Sequence, residues 1–421
     1  MKTPLVSLPR STYLRAIAKL SSGQIVAAMI PLAAAPLLSR LYLPADYGAL
    51  GSYMALAGLF GAVCTLQLHH GIIAERSERR ARDLVLVVSL VAGAVALVAG
   101  LVALAIFFAM AGSDAYTNVR PWVLVLPLTV LATGATAGIA TLANRRAAYG
   151  ALARIPVFAA VVTVATSIPF GLLGSGANGL FISYFLGQAV SFSAYFQVYR
   201  RIEPQRPEVL VRRFVAVARR HKDFVRYSVP SQFLSVVSLD MPVYALTAIG
   251  NMGFLGAFNR AGLLVTMPLN LIGAAVGQVF RQRAAEDYRL TGSCRDLYLR
   301  TGLGLFLAGL PPLAVIMLWA HDLFRIVLGP NWSEAGDIAR ILAPMLLLRL
   351  VCSPLSTVFF FTGRQKHDLL LTGAGVLIGA VLVGAPLALG LDAPWIVVGF
   401  AVSYTMIYSA YIAIGWRFAA Q

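Results

Sequence analysis

Residues 84–110 read LVLVVSLVAGAVALVAGLVALAIFFAM, a stretch without a single charge. Arg76, Arg79, Arg80 and Arg82 stand just before it, and the nearly uncharged turn Gly112-Ser113-Asp114 follows. A helix that spans a bilayer needs roughly 20 mostly apolar residues. The stretch is long enough to cross, and its flanks orient it, because short cytoplasmic loops collect Lys and Arg. Its basic end is expected inside and its bare end outside.

The same ruler carried outward gives twelve spans, at about 17–39, 47–69, 84–110, 118–142, 152–173, 176–198, 227–249, 255–280, 297–319, 335–361, 368–389 and 393–416. Every second loop is basic. The N-terminal stretch holds Lys2, Arg10, Arg15 and Lys19, and later come Arg145/Arg146/Arg154, the run from Arg200 to Arg226, Arg281 to Arg300, Arg364/Lys366 and Arg417. The alternate loops, such as Gly174–Gly176, Asn251–Gly253 and Leu391-Asp392, are short and carry almost no charge. Both termini are therefore expected in the cytoplasm. The longest outer connection is expected at about 320–334.

Composition agrees. The 421 residues are 59 % hydrophobic and 12 % charged, with a mean hydropathy of +0.79. Soluble chains run at about half apolar and a quarter charged. A soluble, collagen-like, disordered or disulfide-rich protein is excluded by these figures. Cys64, Cys294 and Cys352 are scattered, with neither metal-ligand spacing nor enough partners for a disulfide framework, and read as small buried hydrophobes. Ala33-Ala34-Ala35 resembles a signal-peptide cleavage site, but the run is too long and continues past Arg40 into the next span.

A repeat relates the two halves. Gln24 in Ser22-Gly23-Gln24 corresponds to Gln232 in Pro230-Ser231-Gln232, and Tyr47-Gly48-Ala49-Leu50 to Leu255-Gly256-Ala257-Phe258, both at an offset of 208 residues. Spans 1–2 thus match spans 7–8. Six spans per half is an even number, so the halves share an orientation and are expected to relate by an axis along the membrane normal, with a substrate site between them. The expected organisation is a six-helix bundle over 1–198, a basic cytoplasmic linker over 199–226 and a second six-helix bundle over 227–421. In the linker, Leu210, Phe214 and Val217 share a helical face away from Arg212, Arg213, Arg219 and Arg220. That suits a helix on the inner membrane surface, and equally a basic linker obeying the topology rule.

The chain has 34 Lys and Arg against 17 Asp and Glu. Topology places all the basic residues except Arg40, Arg120, Arg260, Arg325, Arg340 and Arg349. Arg325 and Arg340 flank an outer polar cluster with His321, Asp322, Glu334 and Asp337, and read as interfacial. Arg40 and Arg120 end spans 1 and 4, where snorkelling satisfies them, although Arg40 is also a candidate to face a cavity. Arg260 lies in Phe258-Asn259-Arg260-Ala261-Gly262, and Arg349 in the middle of Leu346-Leu347-Leu348-Arg349-Leu350-Val351. An arginine in hydrocarbon costs several kcal/mol, so both must face protein or water. Each is either a substrate contact or a structural contact between helices.

Asp240, in Ser238-Leu239-Asp240-Met241-Pro242, is the acid read as lying well inside a span. It is expected either to pair with Arg260 or to carry a coupling ion. His69 and His70 close span 2 and read as interfacial. The inward set of ionisable residues is thus cationic. The guanidinium fork binds phosphate oxygens bidentately and stays charged when desolvated, so a cationic cavity between two bundles points to an anionic substrate with a phospholipid-like headgroup. Pro31, Pro36, Pro230, Pro242, Pro268, Pro344 and Pro354 mark spans 1, 7, 8 and 10 as candidates for bending. Gly134–Gly138 suits close helix packing.

The stretch from Ser22-Gly23-Gln24 through Leu38-Ser39-Arg40-Leu41-Tyr42-Leu43-Pro44-Ala45-Asp46-Tyr47-Gly48 resembles the opening of the Wzx-type oligosaccharide flippases. These belong to the multidrug/oligosaccharidyl-lipid/polysaccharide exporter superfamily. Pro268 to Gly273 and Gly277 to Ala285 resemble the end of span 8 in the same family. The resemblance implies two bundles in a V around a central cationic cavity. It implies export of an undecaprenyl-diphosphate-linked oligosaccharide to the periplasmic leaflet of a bacterial inner membrane, for surface polysaccharide biosynthesis. Arg40 and Arg260 match cationic positions of the family, whereas Arg349 is placed by its position in a span. The expected mechanism is alternating access, with the diphosphate held by Arg260, Arg349 and Arg40, the lipid tail left in the bilayer, and no covalent chemistry.

The expected partners are the lipid-linked substrate, membrane lipids and polysaccharide-assembly proteins. No metal or cofactor is expected, nor an enzyme activity. Nucleic-acid binding falls away because the positive charge follows topology. Three rival readings stay open. A multidrug or cation antiporter would carry several intramembrane acids, and an envelope polymerase or ligase would need a sizeable outer loop. A scaffold for polymer assembly without transport activity is consistent with everything above.

Overall fold

A computed structural model describes residues 10–75, 77–202 and 224–419. The described residues are helical throughout, with turns between, and include no strand. Twelve helices have 20 residues or more. In chain order they are α1 (Arg10–Leu41), α2 (Pro44–Val63), α3 (Glu78–Ala109), α4 (Leu126–Arg145), α5 (Tyr149–Leu172), α6 (Gly176–Ile202), α7 (Val229–Ala248), α8 (Met252–Thr291), α9 (Arg295–Leu328), α10 (Ser333–Leu355), α11 (Gln365–Ala388) and α12 (Ala393–Ala419). Each overlaps one expected span. Ten stretches are long and apolar enough to cross a membrane, and α2 and α7 are not among them. Most of the expected linker, 203–223 with its amphipathic stretch, lies outside the described residues, as does residue 76.

Several boundaries differ from expectation for a common reason: apolarity marks membrane depth, while the backbone ladder continues past the interface. The outer connection expected over 320–334 is mostly helix, because α9 runs to Leu328 and a short turn at Pro330–Trp332 leads directly into α10. The α8 helix continues eleven residues beyond the expected end at 280, to Thr291, and stops where Gly292 takes a left-handed conformation (φ 74°). Asn251 starts that helix by accepting the Phe254 amide at 3.0 Å. Span 2 is interrupted instead of continuous. α2 ends at Val63, Leu66 and Gln67 adopt positive φ, and a separate short helix runs His69–Ala74. Prolines also lie inside α5, α9 and α11, so they are not confined to the four helices expected to bend.

The chain divides into two compact units, Met1–Leu41 with Leu56–Phe233, and Tyr42–Ala55 with Leu234–Gln421. The first half of α2 is therefore counted with the second unit.

In the first unit α1 packs on α5, α3 on α4 and α5 on α6. Gly134 of α4 faces Ala92 of α3 with no room for a side chain, and Gly138 packs tightly on Val88, which lets the two backbones close up. The core gathers Ile72, Leu84, Val85, Leu142, Leu152 and Tyr195. Arg145, at the end of α4, ties the interrupted segment down. Its guanidinium donates to the Ile72 and Ile73 carbonyls at 2.9 and 3.2 Å and to the Glu78 carboxylate at 2.8 Å, and Arg146 adds a second bond to Glu78 at 3.0 Å.

In the second unit α10 is the central element, packed against α8, α9 and α12, with α11 on α12. Of its most apolar stretch 67 % is buried, against 11–44 % for the other candidate spans. The core around it includes Phe280, Tyr298, Leu305, Leu350, Val351 and Leu355. All three cysteines are buried and free.

Candidate functional site

The glycines of the repeated motif meet in the second unit. A side chain at Gly48 would overlap the Met252 carbonyl, and one at Gly256 would overlap the Pro44 carbonyl. Gly48 and Gly256 are separated by the 208-residue offset of the repeat, and so are Pro44 and Met252. The α2–α8 crossing is therefore reciprocal, and only residues without a Cβ permit the approach.

Arg260, one turn further along α8, sits against this crossing. Its side chain is buried, with 5 % exposed. The guanidinium carbon lies 3.9 Å from the centre of the Tyr47 ring and 5.5 Å from that of Trp332. Tyr47 and Trp332 meet edge to face at 5.6 Å, and Tyr42 packs on Tyr47 at 6.1 Å. A ring face carries negative potential, so two rings stabilise a buried cation without supplying an anion. Asp240 does not pair with Arg260; among the described residues it forms no ion pair, and it lies half-buried on α7 beside Leu239.

Arg349 occupies a different place. Ten residues separate Arg260 from Asn270 on α8, about 15 Å of helix rise, and Arg349 donates to Asn270 Oδ1 at 3.3 Å. Arg349 is half-buried and lines an open cavity of about 330 Å³ within the second unit. The walls are rich in hydroxyls: Ser235 and Ser238 from α7, Ser353 from α10, Thr372 from α11, and Tyr404, Tyr408 and Tyr411 from α12. Tyr404 shares a hydrogen bond of 2.7 Å with Ser238. Phe400, Tyr404 and Tyr408 follow one another at helical spacing, with ring centres 4.8 and 5.4 Å apart.

One acid lines the same cavity, at a position where apolarity gives no sign of it. Asp368 falls at the first turn of α11, where apolarity placed only the edge of a span. Its Oδ1 accepts the Tyr411 hydroxyl at 3.0 Å, and Thr372 Oγ1 lies 3.0 Å from the same hydroxyl. The helix N-terminus stabilises a negative charge there. Among the described residues no cation pairs with it.

The remaining predicted residues lie elsewhere. Arg40 is exposed at the end of α1, in the first unit. Arg120 donates to the Phe107 carbonyl at 3.0 Å and covers the Phe107 ring at 4.3 Å. The outer polar cluster is internally paired, through Arg325–Asp322 and Arg340–Asp337 at 3.3 Å and His321–Asp337 at 3.0 Å. No group of His, Cys, Asp and Glu suited to a metal occurs among the described residues.

The all-helical architecture, with a half-buried arginine in a hydroxyl-rich cavity, has counterparts among solved structures that share the fold. The chain is similar to the lipid II flippase MurJ in an inward closed conformation, with a TM-score of 0.69 at 13 % identity over 94 % of this chain and 86 % of that one. It is also similar to a multidrug resistance MATE family transporter of the MOP superfamily in an inward-facing conformation, with a TM-score of 0.59 at 18 % identity over 96 % and 98 %. A third is a MOP superfamily transporter from Pyrococcus furiosus, described as having a binding pocket of reversed polarity, with a TM-score of 0.54 at 17 % identity over 96 % and 94 %. The chain shares its fold with these three structures. The chain belongs to the polysaccharide biosynthesis protein family, whose model matches residues 37–337. No curated protein sequence matches it.

Proposed function

We propose that the protein is a flippase that moves an undecaprenyl-diphosphate-linked oligosaccharide from the cytoplasmic to the periplasmic leaflet of a bacterial inner membrane, for surface polysaccharide biosynthesis. The observation that carries this reading is Arg349, a cation on the most enclosed of the candidate spans, opening into a hydroxyl-lined cavity. A guanidinium there offers two parallel donors to a diphosphate, and the hydroxyls replace water around the polar headgroup. Family membership in polysaccharide biosynthesis supports a glycan cargo.

In this reading the chain crosses twelve times with both ends inside, bundles 1–198 and 227–421 alternate in access about the basic linker 199–226, and the lipid tail stays in the bilayer. Arg349 takes the diphosphate, and Arg40 is a second candidate contact. Arg260 is assigned instead to holding Tyr47 and Trp332. The reading needs no cofactor and no bond-making chemistry, and it fits a protein that hands its cargo to polysaccharide-assembly proteins.

The test is a deletion strain. Mass spectrometry of its lipid extract should show accumulation of a lipid-linked glycan, cleared by the wild-type gene and not by Arg349→Ala at equal membrane abundance. A deletion strain with an unchanged pool of lipid-linked glycan would overturn the proposal.

A further inference from the structure

Resting on that flippase reading, we infer that the 330 Å³ cavity also contains a subsite for the first sugar of the cargo, built from Asp368, Tyr411, Thr372 and the ring of Tyr408. The diphosphate in such a lipid is bonded directly to the first sugar, so a cavity that holds one holds the other beside it. What the rest of such a cavity's wall should offer follows from the chemistry of a sugar. A pyranose presents hydroxyl donors around its rim and C–H bonds on its faces. A carboxylate accepts strong, charge-assisted bonds from hydroxyls, and aromatic rings cover apolar faces.

The cavity supplies both. Asp368 lines it without a cationic partner among the described residues, and only its Oδ1 is engaged, by the Tyr411 hydroxyl at 3.0 Å. Tyr411 is itself positioned by Thr372 at 3.0 Å and by the Phe359 ring at 5.4 Å. The second carboxylate oxygen keeps its accepting capacity for a ligand. Tyr408 and Tyr404 stand one and two turns along from Tyr411 on the same helix and continue the wall.

A coupling cation is the other occupant a carboxylate suggests, and the chemistry argues against it. Hard cations take several oxygens of net negative charge. Here one carboxylate shares its cavity with the Arg349 guanidinium, which repels a second cation and attracts the phosphate end of a sugar phosphate. The division of labour is Arg349 for charge and Asp368 for sugar hydroxyls.

Two probes separate this inference from the reading beneath it: undecaprenyl diphosphate, and undecaprenyl diphosphate bearing one hexose. Binding to the purified full-length protein in nanodiscs is measured for each. The wild type should bind the hexose-bearing probe roughly tenfold more tightly, the worth of one charge-assisted hydrogen bond. Asp368→Ala should erase that increment and leave the bare-lipid affinity within about twofold. Asp368→Asn, which keeps an accepting oxygen, should retain part of it. Tyr411→Phe, which keeps the ring, should reduce it by a few-fold and serves if Asp368→Ala does not fold. An increment that survives both Asp368→Ala and Tyr411→Phe would overturn the sugar subsite. So would loss of proton- or sodium-dependent transport in Asp368→Asn with the increment intact, which would assign the carboxylate to a coupling ion. The flippase reading fails by a different result, namely equal binding of the bare lipid diphosphate by wild type and Arg349→Ala.

Discussion

Removing the Tyr47 ring from beneath Arg260 should destabilise the protein far more than its lost surface accounts for. Arg260 is 5 % exposed, so its charge depends on what the protein places around it. The nearer ring, at 3.9 Å, is in the range where a desolvated cation–π contact is worth about 2 kcal/mol, while Trp332 at 5.5 Å contributes nearer 0.5–1 kcal/mol. Tyr47→Leu keeps most of the volume and leaves the cation with the farther ring. Arg260→Met removes the charge and fills the space with an unbranched apolar chain. If the account is right, the double variant is more stable than the sum of the two single losses implies, by about 2 kcal/mol of coupling. Equilibrium unfolding in mixed micelles at several salt concentrations measures the cycle, and the coupling should change little with salt because the pair is buried. Tyr47→Phe, which keeps the ring, should retain most of it. Single losses that add within about 0.5 kcal/mol would refute the reasoning.

The α2–α8 crossing makes a second prediction. Gly256→Ala should cost about 1–3 kcal/mol by overpacking against Pro44, whereas Gly262→Ala on the same helix, where a Cβ meets nothing within 4 Å, should be neutral or stabilising in the same unfolding measurement. In the first unit, Arg145→Gln should expose the Ile72–Glu75 segment to limited proteolysis, since it removes the charged donors that hold the Ile72, Ile73 and Glu75 carbonyls and the Glu78 carboxylate; an unchanged digestion pattern would count against that role. Cys294 lies outside the spans at the start of α9, and burial pushes its thiol up to about 11. It should resist maleimide at pH 8 in the folded protein, gain reactivity only as pH rises toward that value, and react promptly once the protein is unfolded.

The fold was legible because lipid imposes one simple demand, about 20 apolar residues per crossing with internally satisfied backbone. All twelve long helices overlap expected spans, and all but α2 and α7 lie in stretches long and apolar enough to cross. Their ends were less legible, since helices such as α8 and α9 outrun the apolar stretch, and the break at Leu66-Gln67 has no glycine or proline to announce it. For the candidate site, rarity is what draws attention to the intramembrane arginines. Arg349 stood out as a cation among leucines, and it lines the cavity. Rarity could not say what answers each charge. Arg260 is met by rings from residues 47 and 332, far away in sequence, and not by Asp240 on the preceding helix. Asp368 was missed because it sits at a helix start, where an acid is ordinary; only the packing of α11 on α12 turns it toward Tyr411.

The central claim is that Arg349 carries the diphosphate of a lipid-linked sugar across the membrane. Its most direct test is the initial rate at which reconstituted protein moves undecaprenyl-diphosphate-linked hexose between the leaflets of proteoliposomes. The account predicts a rate roughly tenfold or more below wild type for Arg349→Ala, with partial recovery in Arg349→Lys, which restores charge without the bidentate fork. An Arg349→Ala protein that moves the lipid at the wild-type rate would contradict it.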